Sequence, residues 1–544
     1  MTKKLLILST ICLILTAIAC SADTPTVRHT VTFLNADDSV FHKIQVEDGQ
    51  TVKQPTQDPV KAGYLLKGWS LQEDGSELFD FSTPVTADIT LYPVFDNTIT
   101  DPELNLEYIK KEDGTLSVKR YLNNMVGEVF TIPSEYEGMA ITSIESEAFI
   151  YFRGGEIHIP ASISSIGDQA FLMCYASIFV DEDNSNYTAV EGVLFNKDMT
   201  TLISCPSSKM GIYTVPDTVT VISDYAFSYS NPYLYLINLP KGIQEIGEFA
   251  FTLCSAKICT VEGSEYKATE EGVLFNKDMT TLISCPMRMQ DSYTVPDSVT
   301  HIADYAFFGC LNLQSIYLPD KLTSIGECAF SGCNLITSFT IPESVEYINP
   351  TAFSQLNDLK EINVKDGNNS YIDIDGVLFD KNTTILICYP AAKTGTSYEI
   401  PNTVNTISEL AFFGSDNLES ITIPGSVTTI GANAFRFAIA LKSITIPESI
   451  TAIPEGAFSY CFALSSVTLP SKLISIGDDA FSFCSSLTKI EIPASVKTIS
   501  STAFRFAEDE GDKGIIEITV HKAKDSILDA PWSAENATVI WNQN

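Results

Sequence analysis

Basic residues are scarce in this chain. Of its 544 residues, 33 are Lys or Arg and 68 are Asp or Glu, which gives a formal net charge of -35 at pH 7. So many carboxylates would repel phosphate backbones, and no basic stripe interrupts them. The sequence therefore argues against nucleic acid as a partner.

Catalytic motifs are also lacking. The five histidines are scattered, and neither an H-E-x-x-H pair, a G-x-G-x-x-G turn nor a Gly-Lys-Ser or Gly-Lys-Thr loop occurs. Asp and Glu pairs are frequent, but in so acidic a chain they have little specificity. Parallel β-helix polysaccharide lyases would cluster Asp, Arg or Lys on one strand face, where this chain carries mostly hydroxyl side chains. We expect no catalytic residue, no cofactor and no metal site.

A long apolar run occurs only at the start of the chain. A basic beginning and an apolar segment over residues 5–15 lead to Ala17-Ile18-Ala19-Cys20, which is typical of a secretory signal. No other stretch approaches the ~20 residues of a membrane span. We therefore predict a signal peptide over residues 1–19 and an exported protein.

Cys20 decides how the exported chain would be held. It resembles the acylated cysteine of bacterial lipoproteins, although Ala17 stands where that motif usually has Leu. This resemblance implies an outer-membrane or cell-surface lipoprotein that contacts the membrane through its N-terminal lipid only, with residues 20–27 as a lipid-proximal linker. Cleavage after Ala19 by an ordinary signal peptidase, and hence plain secretion, remains the alternative.

The thirteen cysteines do not form a disulfide pattern. Six of them share one position, three residues after the Phe of an Ala-Phe pair, where other repeats have Ser or Ala. A position that accepts Cys, Ser or Ala requires a small buried side chain rather than a bond. We predict free, buried thiols at Cys174, Cys254, Cys310, Cys333, Cys461 and Cys484.

A repeat of about 23 residues organises most of the chain. Prolines stand 23 residues apart from Pro401 to Pro493, and each is followed eleven residues later by Phe; eleven such units occur, and a looser first one, from Pro133 to Phe149, makes twelve. In the unit 442–458, alternating apolar residues predict a short strand that Pro447 ends, because proline has no amide donor. One unit cannot bury its apolar face alone, so neighbouring units must stack as a solenoid.

The repeat resembles a known class. Its pattern L-x-x-I-x-I-P-x-x-V-x-x-I-G-x-x-A-F-x-x-C, found over residues 106–506, is similar to the BspA-like leucine-rich repeats of bacterial cell surfaces. The resemblance implies a right-handed solenoid with a parallel β face. For some family members it also implies adhesion or binding to host proteins.

Three insertions interrupt the repeat, where the proline spacing rises to 56, 56 and 59 residues. The stretch EGVLFNKDMTTLISCP lies in the first two, at 191–206 and 271–286, and a degenerate copy lies at 375–390. In the first copy, the apolar runs 193–195 and 201–203 flank a short polar loop, which predicts a β-hairpin. The upstream carboxylates could suggest calcium. The corresponding residues 261–265 before the second copy lack that density of ligands, so we favour turn chemistry.

The two ends depart from the repeat. Residues 28–95 show alternating apolar positions with the motifs Gly63-Tyr64 and Lys67-Gly68-Trp69, and resemble the Listeria-Bacteroides repeat, the B-repeat module of internalin-type proteins. This resemblance implies a small β-grasp-like module. Residues 96–105 are interpreted as a linker, and residues 507–544, with two Trp residues, as the C-terminal cap that closes the core.

Candidate ligand-binding residues lie where the repeats differ. Two positions after the repeated Phe, three repeats have Gly, whereas four consecutive repeats carry Phe437, Tyr460, Phe483 and Phe506. Stacked coils would align these rings as an aromatic column, either packed in the core or exposed as a surface for sugar rings or an apolar partner. The other candidates are variable strand positions, Tyr235, Gln314, Tyr317, Glu419, Lys442 and Glu491.

The sequence thus predicts a mostly β repeat protein with a binding function. We expect a non-catalytic, monomeric surface protein that recognises a host or neighbouring-cell protein or glycan through its solenoid. A structural envelope protein without a dedicated ligand is the first alternative. A glycan-active solenoid enzyme is the second.

Overall fold

The computed structural model describes residues 27–542 except 56, 58, 60, 62–63, 74–77, 82, 124–127, 231, 507–514, 516, 523–526, 528–529, 531 and 535–536. The predicted signal peptide and Cys20 lie outside the described residues. The described chain divides into two compact units. One contains the residues up to Asn123 together with Pro133–Glu145, and the other contains Asn124–Ile132 and Ser146–Asn544. Within the described part there is no helix that could span a membrane.

The first unit begins with a small mixed sheet. The unit comprises β1 (Arg28–Leu34), β2 (Val40–Glu47), β3 (Gln50–Thr51), β4 (Leu65–Ser70), β5 (Pro84–Val85), β6 (Ile89–Asp96), β7 (Thr98–Asp101), β8 (Leu106–Lys110), β9 (Leu116–Tyr121), β11 (Glu135–Tyr136) and β12 (Met139–Ile144). The sheet order is β2-β1-β6-β4, with β1 and β6 parallel. Alternation along β1 buries Phe33, whose ring meets the buried Trp69 edge-on at 4.8 Å. Residues 28–95 therefore form a β module with its own core, as predicted.

A second sheet of this unit corrects the predicted linker. Thr98–Asp101 form β7, which pairs antiparallel with β8, and the buried Asp101 carboxylate accepts two amide N–H groups. The polar composition of residues 96–105 suggested a linker, but alternating Thr and Ile side chains favour a strand. Strands β8 and β9 also pair antiparallel, so residues 106–121 form a hairpin rather than a solenoid coil.

The second unit is the solenoid. A long series of strands comprises β10 (Val129–Thr131), β13 (Glu156–Ile159), β15 (Ser177–Val180), β19 (Gly211–Thr214), β21 (Leu234–Asn238), β23 (Lys257–Cys259), β27 (Gln290–Thr294), β29 (Asn312–Tyr317), β31 (Ser338–Ile341), β33 (Glu361–Val364), β37 (Ser397–Glu399), β39 (Ser420–Thr422), β41 (Ser443–Thr445), β43 (Ser466–Thr468), β45 (Lys489–Ile492), β47 (Glu517–Val520) and β48 (Thr538–Trp541). Paired neighbours in this series are parallel and mostly in register, as in Ser443↔Ser466 and Thr445↔Thr468. These strands form the predicted parallel β face.

A second series of short strands combines strands that follow the repeat prolines with one strand from each insertion. It comprises β14 (Ser165–Ile166), β18 (Thr201–Ser204), β20 (Val221–Ile222), β22 (Glu245–Ile246), β26 (Thr281–Ser284), β28 (His301–Ile302), β30 (Ser324–Ile325), β32 (Tyr347–Ile348), β36 (Ile385–Cys388), β38 (Thr406–Ile407), β40 (Thr429–Ile430), β42 (Ala452–Ile453), β44 (Ser475–Ile476) and β46 (Thr498–Ile499). Between the two series lies the core. In the unit 442–458, the side chains of Ile444, Ile446, Ile450, Ile453 and Phe458 are all buried.

The repeated Phe residues stack along the core. The rings of Phe435, Phe458 and Phe481 lie 5.2 and 5.4 Å apart, with interplanar angles of 4° and 8°. The amide of Phe458 also donates to the carbonyl of Ala480 in the next coil at 2.9 Å. The corners of these consecutive coils are thus joined by side-chain stacking and by backbone hydrogen bonds.

The predicted free thiols are confirmed. The six repeated cysteines are buried and not in disulfides: Cys174, Cys254, Cys310, Cys333, Cys461 and Cys484. Burial raises the pKa of the Cys174 and Cys484 thiols to about 12, so both are protonated and unreactive at neutral pH.

The three insertions contain the predicted hairpins, and more. Their additional strands are β16 (Tyr187–Val190), β17 (Val193–Asn196), β24 (Tyr266–Ala268), β25 (Leu274–Asn276), β34 (Tyr371–Ile374) and β35 (Val377–Asp380). In the first insertion β16, β17 and β18 pair antiparallel, and β18 then pairs in parallel with β20. Because Phe195 and Leu202 are fully buried, the repeated stretch supplies a further coil of the core.

The C-terminal end continues the parallel face. Strands β47 and β48 extend the sheet that begins with β45. The fully buried Trp532 lies 6.3 Å from the ring of Phe504 and 6.4 Å from that of Trp541. These indoles occupy the space beyond the last Phe of the stack.

Candidate binding surfaces

The aromatic column forms in the four repeats where the sequence predicted it. Ring centroids are 4.5 Å apart for Phe437 and Tyr460 and 4.4 Å apart for Tyr460 and Phe483, with interplanar angles of 15° and 8°. Phe506 follows at 6.4 Å and is tilted by 50°. All four side chains are half-buried. The column is therefore neither packed in the core nor fully exposed, which were the two predicted alternatives.

The backbone explains why glycine occupies this position in other repeats. Gly309, Gly332 and Gly414 have φ values of 72°, 79° and 66°. The corresponding φ values of Phe437 and Tyr460 are 59° and 60°. This left-handed conformation is unfavourable for a residue with a Cβ atom. The aromatic residues therefore hold a strained turn that glycine would adopt without cost.

The stacking limits what the column can bind. Tyr460 has both ring faces stacked against its neighbours, and Phe437 and Phe483 each have one face stacked against Tyr460. The guanidinium of Arg436 also lies 5.4 Å from the centroid of Phe437 and 5.5 Å from that of Tyr460. Sugar recognition by stacking needs an open ring face. The column is thus better suited to stabilising the turns than to holding a sugar ring.

Replacing Tyr460 tests the strained turn. Tyr460→Ala should lower the free energy of unfolding by about 2 kcal/mol, because a half-buried ring loses its stacking while the strain remains. Tyr460→Gly should cost about 1 kcal/mol less, because glycine relieves the left-handed conformation. Equilibrium urea unfolding measures both variants. Equal losses for Ala and Gly would show that the turn stores no strain.

The predicted strand candidates are dispersed along the long series. Tyr235 and Tyr317 are 52% and 59% exposed. Gln314 is also exposed and lies on β29, the strand that carries Tyr317. Glu491 lies on β45, and its Oε2 is 3.7 Å from the Nε2 of His521. Only Glu419 and Lys442 are brought together, by an ion pair of 2.7 Å. These residues do not form one site.

Tyr235 instead belongs to a patch that the sequence analysis missed. Four large apolar side chains surround β19 and β21 and are 62%, 66%, 61% and 52% exposed: Met210, Ile212, Tyr233 and Tyr235. The pairing of the two strands joins them, since Ile212 lies opposite Leu236 and the amide of Gly211 donates to the carbonyl of Tyr233 at 2.7 Å. We call these four residues the docking patch.

Comparing the insertions could have revealed the docking patch. Ile212 follows the first copy of the repeated stretch, and the residues at the corresponding place after the other copies are Ser292 and Ser397. Both serines are exposed, as expected for the solvent side of a strand. An isoleucine at a position where its counterparts are serine is the signal.

A row of carboxylates, also missed, lies three residues before the repeated Phe. Its members are Asp168, Asp224, Glu248, Asp304, Glu327, Glu409, Glu455 and Asp478. Burial and the charges of Glu327 and Glu455 raise the pKa of Glu409. Asp224 and Asp304 accept amide hydrogen bonds from Glu248 and Glu327, at 2.7 and 2.5 Å. These contacts give the aspartates a role in the turns.

A small cleft lies beside this row. The rings of Tyr225 and Phe249 are 4.9 Å apart, and those of Phe249 and Tyr305 are 4.8 Å apart. Phe249 and Tyr305 line a cavity of about 220 Å³. The Tyr305 hydroxyl donates to Glu327 at 2.9 Å, so the polar group at its rim already has a partner within the chain.

The carboxylate-rich turn before the first insertion is held by its own hydrogen bonds. Asp181 accepts the amide of Asp183 at 2.9 Å. The buried Asn184 donates to the carbonyls of Pro160 and Ile163 at 3.0 and 2.9 Å. Over the described residues, no three His, Cys, Asp or Glu side chains are grouped as a metal site would require. The contacts of Asp181 and Asn184 are those of a hydrogen-bonded turn.

Two parallel series of short strands around a core of Leu, Ile and stacked Phe define a leucine-rich-repeat solenoid. The chain belongs to the BspA-type leucine-rich repeat family, whose pattern matches residues 142–214, 203–291, 287–385 and 388–508. Residues 29–94 match the Listeria-Bacteroides repeat domain. Both resemblances predicted from the sequence are thereby confirmed.

Solved structures of leucine-rich repeat proteins are similar to the chain. A leucine rich cell surface protein from Faecalibacterium prausnitzii is 24% identical, and the match covers 82% of this chain and 95% of that one with a TM-score of 0.43. The pneumococcal vaccine antigen PcpA is 19% identical over 82% of this chain and 99% of that one, with a TM-score of 0.34. A leucine-rich repeat protein from Bacteroides ovatus is 20% identical, with 82% and 99% covered and a TM-score of 0.32.

Proposed function

We propose that the protein is a non-catalytic cell-surface binding protein that recognises another protein through the docking patch. The observation that carries the proposal is the exposure of four apolar side chains on or next to two paired strands, the least exposed of which, Tyr235, is 52% accessible. Leaving such area in water is unfavourable by ~25 cal/mol per Å², and contiguous apolar patches on soluble proteins mark interaction sites. Membership of the BspA-type family is consistent with this binding role.

The composition of the patch favours a protein over a glycan. Tyr, Met and Arg are enriched in the centres of protein interfaces. Met210 and Ile212 offer neither a flat ring nor a hydrogen-bonding group, which sugar recognition relies on. In the aromatic column, the other candidate for sugars, both faces of the Tyr460 ring are stacked against neighbouring rings. We therefore place protein recognition first.

The Ile212→Ser/Tyr235→Gln double variant tests the proposal. It introduces the residues that occupy the corresponding positions after the second insertion, Ser292 and Gln314, so the strands should be retained. An array of matrix and host-surface proteins and of glycans is probed with the chain lacking its predicted signal peptide. We expect a protein ligand whose affinity falls at least ~30-fold in the double variant, since central apolar residues carry most of the binding energy.

Tyr317→Thr is the matched control. Tyr317 is 59% exposed on the same series of strands but lies outside the docking patch, and Thr340 occupies the corresponding position in the next repeat. Its affinity should equal that of the wild type. A wild-type chain that binds nothing on the array would favour the structural envelope alternative. A ligand whose binding is unchanged in the double variant would place recognition elsewhere on the chain.

A further inference from the structure

Arg288 stands beside the docking patch. Its guanidinium carbon lies 5.5 Å from the ring centroid of Tyr235, and one of its terminal nitrogens donates to the carbonyl of Pro232 at 2.8 Å. Arg288 comes from the loop after the second copy of the repeated stretch. The solenoid thus brings a cation from a later coil onto the exposed Tyr235.

Arg288 forms no ion pair with any of the residues that the structure describes, although acids outnumber bases by 68 to 33 in the chain. Other arginines do find a carboxylate, as Arg120 does with Glu107 at 2.7 Å and Arg505 with Asp479 at 3.3 Å. A guanidinium has five N–H donors in a planar fork that matches a carboxylate. Among the described residues, one donor of Arg288 is engaged, by the carbonyl of Pro232.

The ring and the carbonyl also hold the guanidinium in place. An arginine side chain that is free in solution loses rotamer freedom when it binds, and that loss weakens association. Here the contacts with Tyr235 and Pro232 restrict it beforehand. An ordered cation with free donors, next to exposed apolar side chains, is suited to a ligand that combines an anion with an apolar group.

We infer that the partner presents an Asp or Glu side chain next to a large apolar side chain, with the carboxylate on Arg288 and the apolar group on the docking patch. This inference rests on the proposed function, because the patch must first bind a protein. The guanidinium carbon of Arg288 lies 5.5 Å from the centroid of the Tyr235 ring. In an extended segment, residues i and i+2 share a face and lie ~6.8 Å apart. A partner that binds as an extended segment would therefore carry its carboxylate and its apolar residue two positions apart in sequence.

Selection from a phage-displayed library of random peptides tests the inference. The library is panned against three immobilised proteins: the wild-type chain without its predicted signal peptide, the Arg288→Gln variant, and the Ile212→Ser/Tyr235→Gln double variant. The wild type should enrich peptides with Asp or Glu two positions from an aromatic or aliphatic residue. Arg288→Gln should enrich apolar peptides without the carboxylate, and the double variant should enrich neither.

Affinities of one selected peptide complete the test. Arg288→Gln should weaken its binding about tenfold, and Arg288→Lys should restore only part of the loss, because lysine keeps the charge but not the fork. Two results would overturn the inference and leave the proposed function intact: the wild-type protein selects peptides without a carboxylate, or Arg288→Gln selects the same motif as the wild type. Failure of the wild type to enrich any motif, or the same enrichment by the double variant, would overturn both. Competition of the selected peptide by carboxylate-bearing glycans at lower concentration would overturn the assignment to a protein.

Discussion

Phe458→Ala should lower the free energy of unfolding by about 4 kcal/mol. The ring of Phe458 is fully buried between those of Phe435 and Phe481, at 5.2 and 5.4 Å. Because the next coils fix both neighbouring rings, the space left by the missing ring cannot close. Equilibrium unfolding in guanidinium chloride, followed by circular dichroism, measures the loss.

Phe462→Ala is the matched control in the same repeat. Phe462 is 42% exposed and contacts Tyr460 edge-on at 6.1 Å, so its removal should cost less than about 1 kcal/mol. Since each coil contacts mainly its neighbours, the damage in Phe458→Ala should be local. Amide hydrogen exchange should accelerate first in the coils that contain residues 435–481. Equal losses for the two variants would contradict a continuous core stack.

The fold could be predicted from the sequence because the repeat is regular. The proline and phenylalanine positions that Pro447 and Phe458 occupy in their repeat recur at fixed spacing. The buried residues lie at the positions that this spacing predicts. Prediction failed where the repeat stops. Residues 98–101 are polar enough to suggest a linker, and their pairing with β8 depends on a partner strand that composition does not indicate.

The candidate site was harder to predict, for two physical reasons. Whether Tyr460 is core or surface depends on a left-handed turn that tilts its ring half into solvent, and no periodicity encodes that tilt. The environment of Tyr235 depends on Arg288, which approaches it only after an insertion has been folded into the stack. Tyr235 was predicted as a candidate, whereas its neighbours Met210 and Ile212 were not.

Asn368→Leu should lower the free energy of unfolding by at least ~3 kcal/mol, through a mechanism that differs from loss of packing. Asn368 is 1% exposed and makes four hydrogen bonds to the backbone. Its amide donates to the carbonyls of Pro342 and Val345 at 2.8 and 3.1 Å, and its oxygen accepts the amides of Ser370 and Tyr371 at 2.8 and 2.7 Å. Leucine has a similar shape but leaves the carbonyl of Val345 and the amides of Ser370 and Tyr371 without this partner, each costing ~1–3 kcal/mol in part or in full.

The neighbouring Asn369 provides the control, since it is exposed and Asn369→Leu should change stability by less than about 0.5 kcal/mol. The loss of stability in Asn368→Asp should fall between those of Asn368→Leu and Asn369→Leu, because aspartate keeps the acceptors and loses the donors.

Asn184 holds the first insertion with the same bonds, to the carbonyls of Pro160 and Ile163. The second insertion has Ser264 at this position, and its hydroxyl donates to the carbonyl of Val261. Asn184→Leu should therefore resemble Asn368→Leu, and Ser264→Ala should cost about 1 kcal/mol. Losses below about 1 kcal/mol for all three variants in thermal and urea unfolding would show that the insertions are held by their strands alone.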